Sequence, residues 1–145
     1  MNISFSIPKR FVSTLSSWIQ KNDFILILIV LTFLSVLSYI IYWNNGLGLS
    51  YNDARSHLDI GRRVVENLKP GFAQLGSVWL PLPHILMLPT IWNDFMWHSG
   101  LSGAIQSMAS FIATGCMIYF YLRRLGVGAL GRLISVFVFA VNLNI

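Results

Sequence analysis

The stretch Phe24–Trp43, FILILIVLTFLSVLSYIIYW, decides what kind of protein this is. It carries no charged residue. A helix rises about 1.5 Å per residue, so about 20 apolar residues cross a hydrocarbon core about 30 Å thick. Tyr39, Tyr42 and Trp43 gather at its end, where amphipathic rings suit a membrane–water boundary. Asn44-Asn45-Gly46 follows. A cleavable signal peptide has a shorter apolar core and small residues at its cleavage site. The stretch therefore reads as a signal anchor that stays in the membrane.

Composition agrees. Of 145 residues, 55% are hydrophobic and 10% charged, against about a quarter charged in soluble domains. The net charge is +5, from ten Lys and Arg against five Asp and Glu. These bases stand mostly beside apolar runs, so they report membrane orientation rather than nucleic-acid binding. No nucleic-acid partner is expected. Cys116 is the single cysteine. It excludes an intramolecular disulfide and reads as a small packing residue in an apolar run.

Outward from the first span the chain divides as follows. Residues 1–23 form a basic N-terminal tail, in which Phe11, Leu15, Trp18 and Ile19 also fit a short interfacial helix. Residues 44–100 form a long loop. Within it, residues 51–69 predict an amphipathic helix, with Ala54, Leu58, Gly61, Val65 and Leu68 as its apolar stripe. Arg55–Asp59, Asp59–Arg63 and Arg62–Glu66 make i,i+4 pairs on the other faces. Ser50 is positioned to cap this helix and Pro70-Gly71 to end it. The helix is too polar to span and suits a membrane surface. Residues 77–97 are apolar, but Pro81, Pro83 and Pro89 argue against a regular helix. Trp79, Trp92 and Trp97 suit an interfacial or re-entrant segment. Residues 101–122 form a second uncharged span whose Gly103, Ala104, Ser107, Ser110, Ala113 and Gly115 present small side chains for close helix packing. Residues 123–132 make a short basic loop. Residues 133–145 begin a third apolar run, too short for a span, which is the expectation for a truncated chain.

Positive loops stay cytoplasmic. Lys9, Arg10 and Lys21 precede the first span; Arg123, Arg124 and Arg132 follow the second. An even number of crossings between them places residues 44–100 outside. The expected fold is all-α. It is a multi-pass transmembrane protein of the cell membrane, with a cytoplasmic N-terminus and a large first extracytoplasmic loop carrying a juxtamembrane amphipathic helix.

Chemistry, if present, belongs to that loop. Asp53 stands soon after the first span, at the head of the amphipathic helix, and His57 follows one turn later. A carboxylate there suits deprotonation of an acceptor or help in holding a divalent cation. Arg55, His57, Arg62 and Arg63 suit phosphate oxygens. An acid in a first helical turn is equally what the helix dipole favours, and Arg62 and Arg63 equally fit a solvated, ion-paired face. His57, His84 and His98 show no metal-ligand spacing. There is no glycine-rich nucleotide loop and no HExxH.

The order of these features resembles the GT-C-type membrane glycosyltransferases, the group of the protein O-mannosyltransferases and the aminoarabinose transferase. Tyr51-Asn52-Asp53-Ala54-Arg55 resembles the acidic motif of their first external loop, and Trp79-Leu80-Pro81-Leu82-Pro83-His84 their following proline-rich segment. The resemblance implies inverting transfer from a polyprenyl-phosphate-linked sugar. It makes Asp53 the base or part of a metal and acceptor site, and adds Trp79 and His84 to the substrate contacts. Many members have two adjacent acids; this chain has Asp53-Ala54. The implied partners are the lipid-linked donor, membrane lipid, and an acceptor protein, lipid or glycan. The competing expectations are a non-enzymatic membrane protein or assembly subunit, docking through the small face of 101–122, and a transporter or flippase fragment.

Overall fold

The computed structural model describes residues 9–51, 53–75 and 80–142, with side chains from Ser17 onward. The described residues are helical, with no strand. The helices are α1 (Lys9–Asn44), α2 (Ala54–Val65), α3 (Leu82–Ile91), α4 (Asp94–His98), α5 (Leu101–Arg124) and α6 (Ala129–Ala140), with a 3-10 turn at Phe72–Leu75. Two of them are long and apolar enough to cross a membrane: Ser17–Asn44 of α1, and α5. Most of their side chains are exposed. A helix buried in a soluble core would hide them. Ile25, Ile29, Phe33 and Ile41 of α1 and Met117 and Phe120 of α5 all lie on the surface.

The chain forms two compact units. The first contains α1 up to Thr32, α5 from Ala113, and α6. It buries a polar cluster beside apolar Ile27, Leu31 and Val136. The Asp23 carboxylate, almost fully buried, accepts hydrogen bonds from the Tyr119 hydroxyl at 3.0 Å and from Arg132 Nε at 2.8 Å. Arg132 Nη2 pairs with the same carboxylate, and Nη1 donates to the Val127 carbonyl at 2.6 Å. Helix α1, at Asp23, is thereby tied to the last turns of α5 and the first turn of α6. Further along, Leu31 packs against Gly115. A β-carbon at Gly115 would stand 2.5 Å from Leu31 Cδ1, so the small residue makes the close approach possible.

The second unit runs from Phe33 to Ile112. Leu58 of α2 and Met87 and Ile91 of α3 form its apolar centre, flanked by Leu49, Leu88 and Trp97. Gly61 brings the α2 backbone close to Met87 and Ile91, and Gly103 brings α5 close to Leu58 and Met87. Trp43, at the end of α1, meets Phe95 of α4 in a tilted contact with ring centroids 6.2 Å apart. Gly100 has a φ of 79° and faces Leu49. Only glycine adopts this left-handed turn cheaply, and it carries the chain from α4 into α5.

Several sequence expectations need correction. Residues 9–23 do not form a separate short helix: they continue into α1. No proline or glycine interrupts Lys9–Asn44. The amphipathic helix occupies Ala54–Val65 rather than 51–69. Ser50 does not cap it; its hydroxyl donates to the Leu47 carbonyl. The helix ends before Pro70-Gly71. Asn67 turns its side chain to the Leu68 amide and to Gln74, and such local bonds compete with helix continuation. Leu68 is consequently fully exposed, while Ile60 and Arg62, off the expected stripe, are buried. Within the apolar stripe of α2, Leu58 and Gly61 pack against α3, while Val65 and Leu68 are exposed. The prolines of 77–97 permit a regular helix, because Pro81 precedes it and Pro83 lies in its first turn, where no amide partner is needed. Only Pro89 is interior. At ten residues, α3 is about 15 Å long, too short to span. The second long helix includes Arg123 and Arg124 in its last turn.

Candidate functional site

Asp53 stands at the N-cap position of α2, half-buried. Its side chain makes no capping hydrogen bond to its own helix. Its backbone is in the helical region, φ −90° and ψ −7°, whereas a capping residue usually sits in the extended region. The carboxylate accepts a 3.3 Å hydrogen bond from the Tyr51 hydroxyl, two residues away. The amide of His57 donates to the Asp53 carbonyl at 2.9 Å, so the two residues are linked through the backbone of the first turn.

The imidazole of His57 is committed elsewhere. Its Nδ1 lies 2.9 Å from Nε2 of His84, with ring centroids 5.0 Å apart and planes at 29°. His84 is completely buried between α2 and α3, and its Nδ1 has no hydrogen-bond partner among the described residues. One nitrogen of the pair must donate and the other accept, so the contact requires at least one neutral ring. Burial, the neighbouring His57 and the charge of Arg63 push the His84 pKa down.

Arg55 and Arg62 converge on Trp97. Their guanidinium carbons stand 4.3 and 5.0 Å from its ring centroid. Trp97 Nε1 donates to Asp59 Oδ1 at 2.9 Å, and its carbonyl accepts from Arg55 at 3.4 Å. Arg55 also pairs with Asp59 at 3.1 Å. Arg62 is the better-buried member. It donates to the Ile91 carbonyl at 2.9 Å and pairs with Asp94 and Glu66, each at 2.5 Å. Arg62 thus holds α2 to α3 and α4, and Arg55 holds it to α4, where the sequence reading has both facing phosphate. Arg63 is the exposed one. Its Nε reaches only the Asp59 carbonyl, at 3.3 Å, and it forms no ion pair with Asp59. Trp79 lies outside the described residues.

The structure therefore joins His57 to His84, and Arg55 and Arg62 to Trp97. It joins the Asp53 carboxylate to none of them. Grooves among the described residues include two of note. One, lined by Ile27, Val30, Leu133 and Phe137 among others, is apolar; the other lies by Trp43, Gly48 and Ser99. Neither includes Asp53. No three His, Cys, Asp or Glu side chains converge among the described residues. Trp97 is the hub that the sequence reading misses: its partners are 38 and 42 residues away, and no periodicity links them. The buried Asp23–Arg132 pair, 109 residues apart, is missed for the same reason. No protein family, no curated protein and no solved structure matches the chain.

Proposed function

We propose that this chain works as the N-terminal part of an integral membrane glycosyltransferase. It would transfer a sugar from a polyprenyl-phosphate-linked donor to an acceptor on the extracytoplasmic side. One observation carries this reading: Asp53, at the head of a helix just past a membrane-length helix, does not cap that helix. Among the described residues its carboxylate takes only a long phenol bond. A carboxylate with no capping duty at a membrane boundary suits a general base. Asp53 takes the proton of the acceptor's nucleophilic group. The acceptor bonds to the anomeric carbon as the bond to the phosphate oxygen breaks, and polyprenyl phosphate leaves with the electron pair. Arg63 is the basic side chain on α2 best exposed to meet that phosphate.

The orientation draws on the first unit. The Asp23–Tyr119–Arg132 contacts bring α1, just before its uncharged stretch, to the last turns of α5, which suits two crossings that begin and end on the cytoplasmic side. The rival docking-subunit reading loses part of its support, because Gly103 and Gly115 face residues of this chain.

The decisive experiment is Asp53→Asn in the full-length membrane protein, scored as sugar transferred per mole of folded enzyme. Transfer falls at least about a hundredfold if Asp53 is the base. Near-normal turnover would end the assignment. Asp59 is a poor control, since it holds Trp97 and Arg55; Ser56→Ala, on the exposed face of α2, is the better one. For orientation, in a Cys116→Ala background, S56C reacts with a membrane-impermeant thiol reagent in intact cells and G128C does not. The reverse pattern would invert the topology.

A further inference from the structure

Helix α3 is apolar on both faces. Its inner face, Met87 and Ile91, is buried against α2. Its outer face continues the same chemistry: Leu82, Ile85 and Leu86 are exposed, with Leu80 before them and Trp92 and Phe95 after. Leu80 to Asn93 contains no Lys, Arg, Asp or Glu, and its one ionisable side chain, His84, points inward. A helix that is hydrophobic all round is either enclosed by protein or set in lipid. The polar groups near this face are already satisfied within the chain. Trp92 Nε1 donates to the Pro89 carbonyl at 2.8 Å, and the Thr90 hydroxyl bonds to Ser102 at 2.6 Å and to the Met87 carbonyl at 3.1 Å. An indole that needs no water partner is suited to an apolar medium.

Lipid is favoured over a protein partner by what the face adjoins. Phe95 meets Trp43 in a tilted ring contact, and Trp43 stands at the end of the α1 membrane-length helix. The apolar strip therefore begins where that helix reaches the membrane boundary. Its aromatic content, Trp43, Trp92 and Phe95, is that of an interfacial belt.

We infer that the outer face of α3 lies in the lipid of the outer leaflet, and that α3, not the amphipathic α2, is the membrane-contacting helix of this loop. Helix α2 then rides on α3 with its exposed side, Ser56, Arg63 and Glu66, toward water. The inference rests on the membrane reading above. It places Asp53 and Arg63 one helix layer from the bilayer surface, within reach of a donor headgroup whose tail remains in lipid.

The test is site-directed spin labelling of the full-length protein in a Cys116→Ala background, reconstituted in phosphatidylcholine–phosphatidylglycerol vesicles. Labels go at L86C, at S56C and, as reference, at L37C in α1. Collision with oxygen is compared with collision with a water-soluble nickel chelate. The L86C label resembles L37C, with an oxygen-to-nickel ratio severalfold above that of S56C. An I85C label, also on the outer face, gives the same result. A nickel-accessible label at Leu86 and Ile85, with Leu37 still in lipid, overturns this inference alone. Labels shielded from both collision partners there overturn it in favour of a protein cover. A nickel-accessible label at Leu37 overturns the membrane reading, and this inference with it.

Discussion

Helices α2 and α3 pack inner face to inner face through Leu58, Met87 and Ile91, yet their outer faces are opposites. The exposed side of α2 carries Ser56, Arg63 and Glu66; that of α3 carries Leu82, Ile85, Leu86 and Trp92. A strong apolar–polar contrast along a helix shows that one face is buried, but not against what. The stripe of α2 invites a membrane as its partner and instead meets α3. The weakly patterned α3 is the element with apolar surface left over. Amphipathicity alone thus identifies a helix with one covered face, and only the tertiary structure shows that α3 covers it.

The comparison breaks first at its inner faces. Ile91→Ala removes a completely buried side chain and lowers stability by about 3 kcal/mol, read as a drop in thermal midpoint in detergent micelles. Ile85→Ala, on the outer face of the same helix, changes it by less than about 0.5 kcal/mol. Equal losses at the two positions would show that α3 is enclosed on both sides.

A smaller loss is expected at the polar fastening. Arg62→Met keeps the stem but removes the bonds to the Ile91 carbonyl, Asp94 and Glu66. Both carboxylates are more than half exposed and can rehydrate, so most of the loss is the charged bond to the carbonyl, about 2 kcal/mol. The same melting experiment measures it. A neutral result would mean that Trp97, with Arg55, holds α4 without Arg62.

The smallest effect is acid sensitivity of the His57–His84 contact. His84 binds a proton less readily when folded than when unfolded, so the unfolded chain takes up more protons as pH falls. The stabilisation is complete above the ordinary histidine value of 6.5 and is lost progressively below it, toward the lower folded-state value. Melting temperature therefore falls between pH 7 and pH 5, and the dependence flattens in His84→Gln. An unchanged slope in that variant would assign the acid sensitivity to another group.

The two membrane-length helices, the polar head of α2 and the position of Asp53 are all legible in the amino-acid order, because they depend on runs of neighbouring residues. Twenty uncharged residues need no tertiary information to read as membrane-length. The tertiary structure decides everything that depends on pairs distant in sequence. Arg62 looks like a solvated arginine until Asp94 and the Ile91 carbonyl arrive from another helix. His57 and His84 look unrelated until α3 folds back on α2. Asp23 and Arg132, one read as part of a tail and the other as a topology signal, become a buried pair. Periodicity reports which residues share a face, but a face is only half of a contact. The partner is chosen by chain reversals at places such as Gly100, whose geometry follows from packing around it.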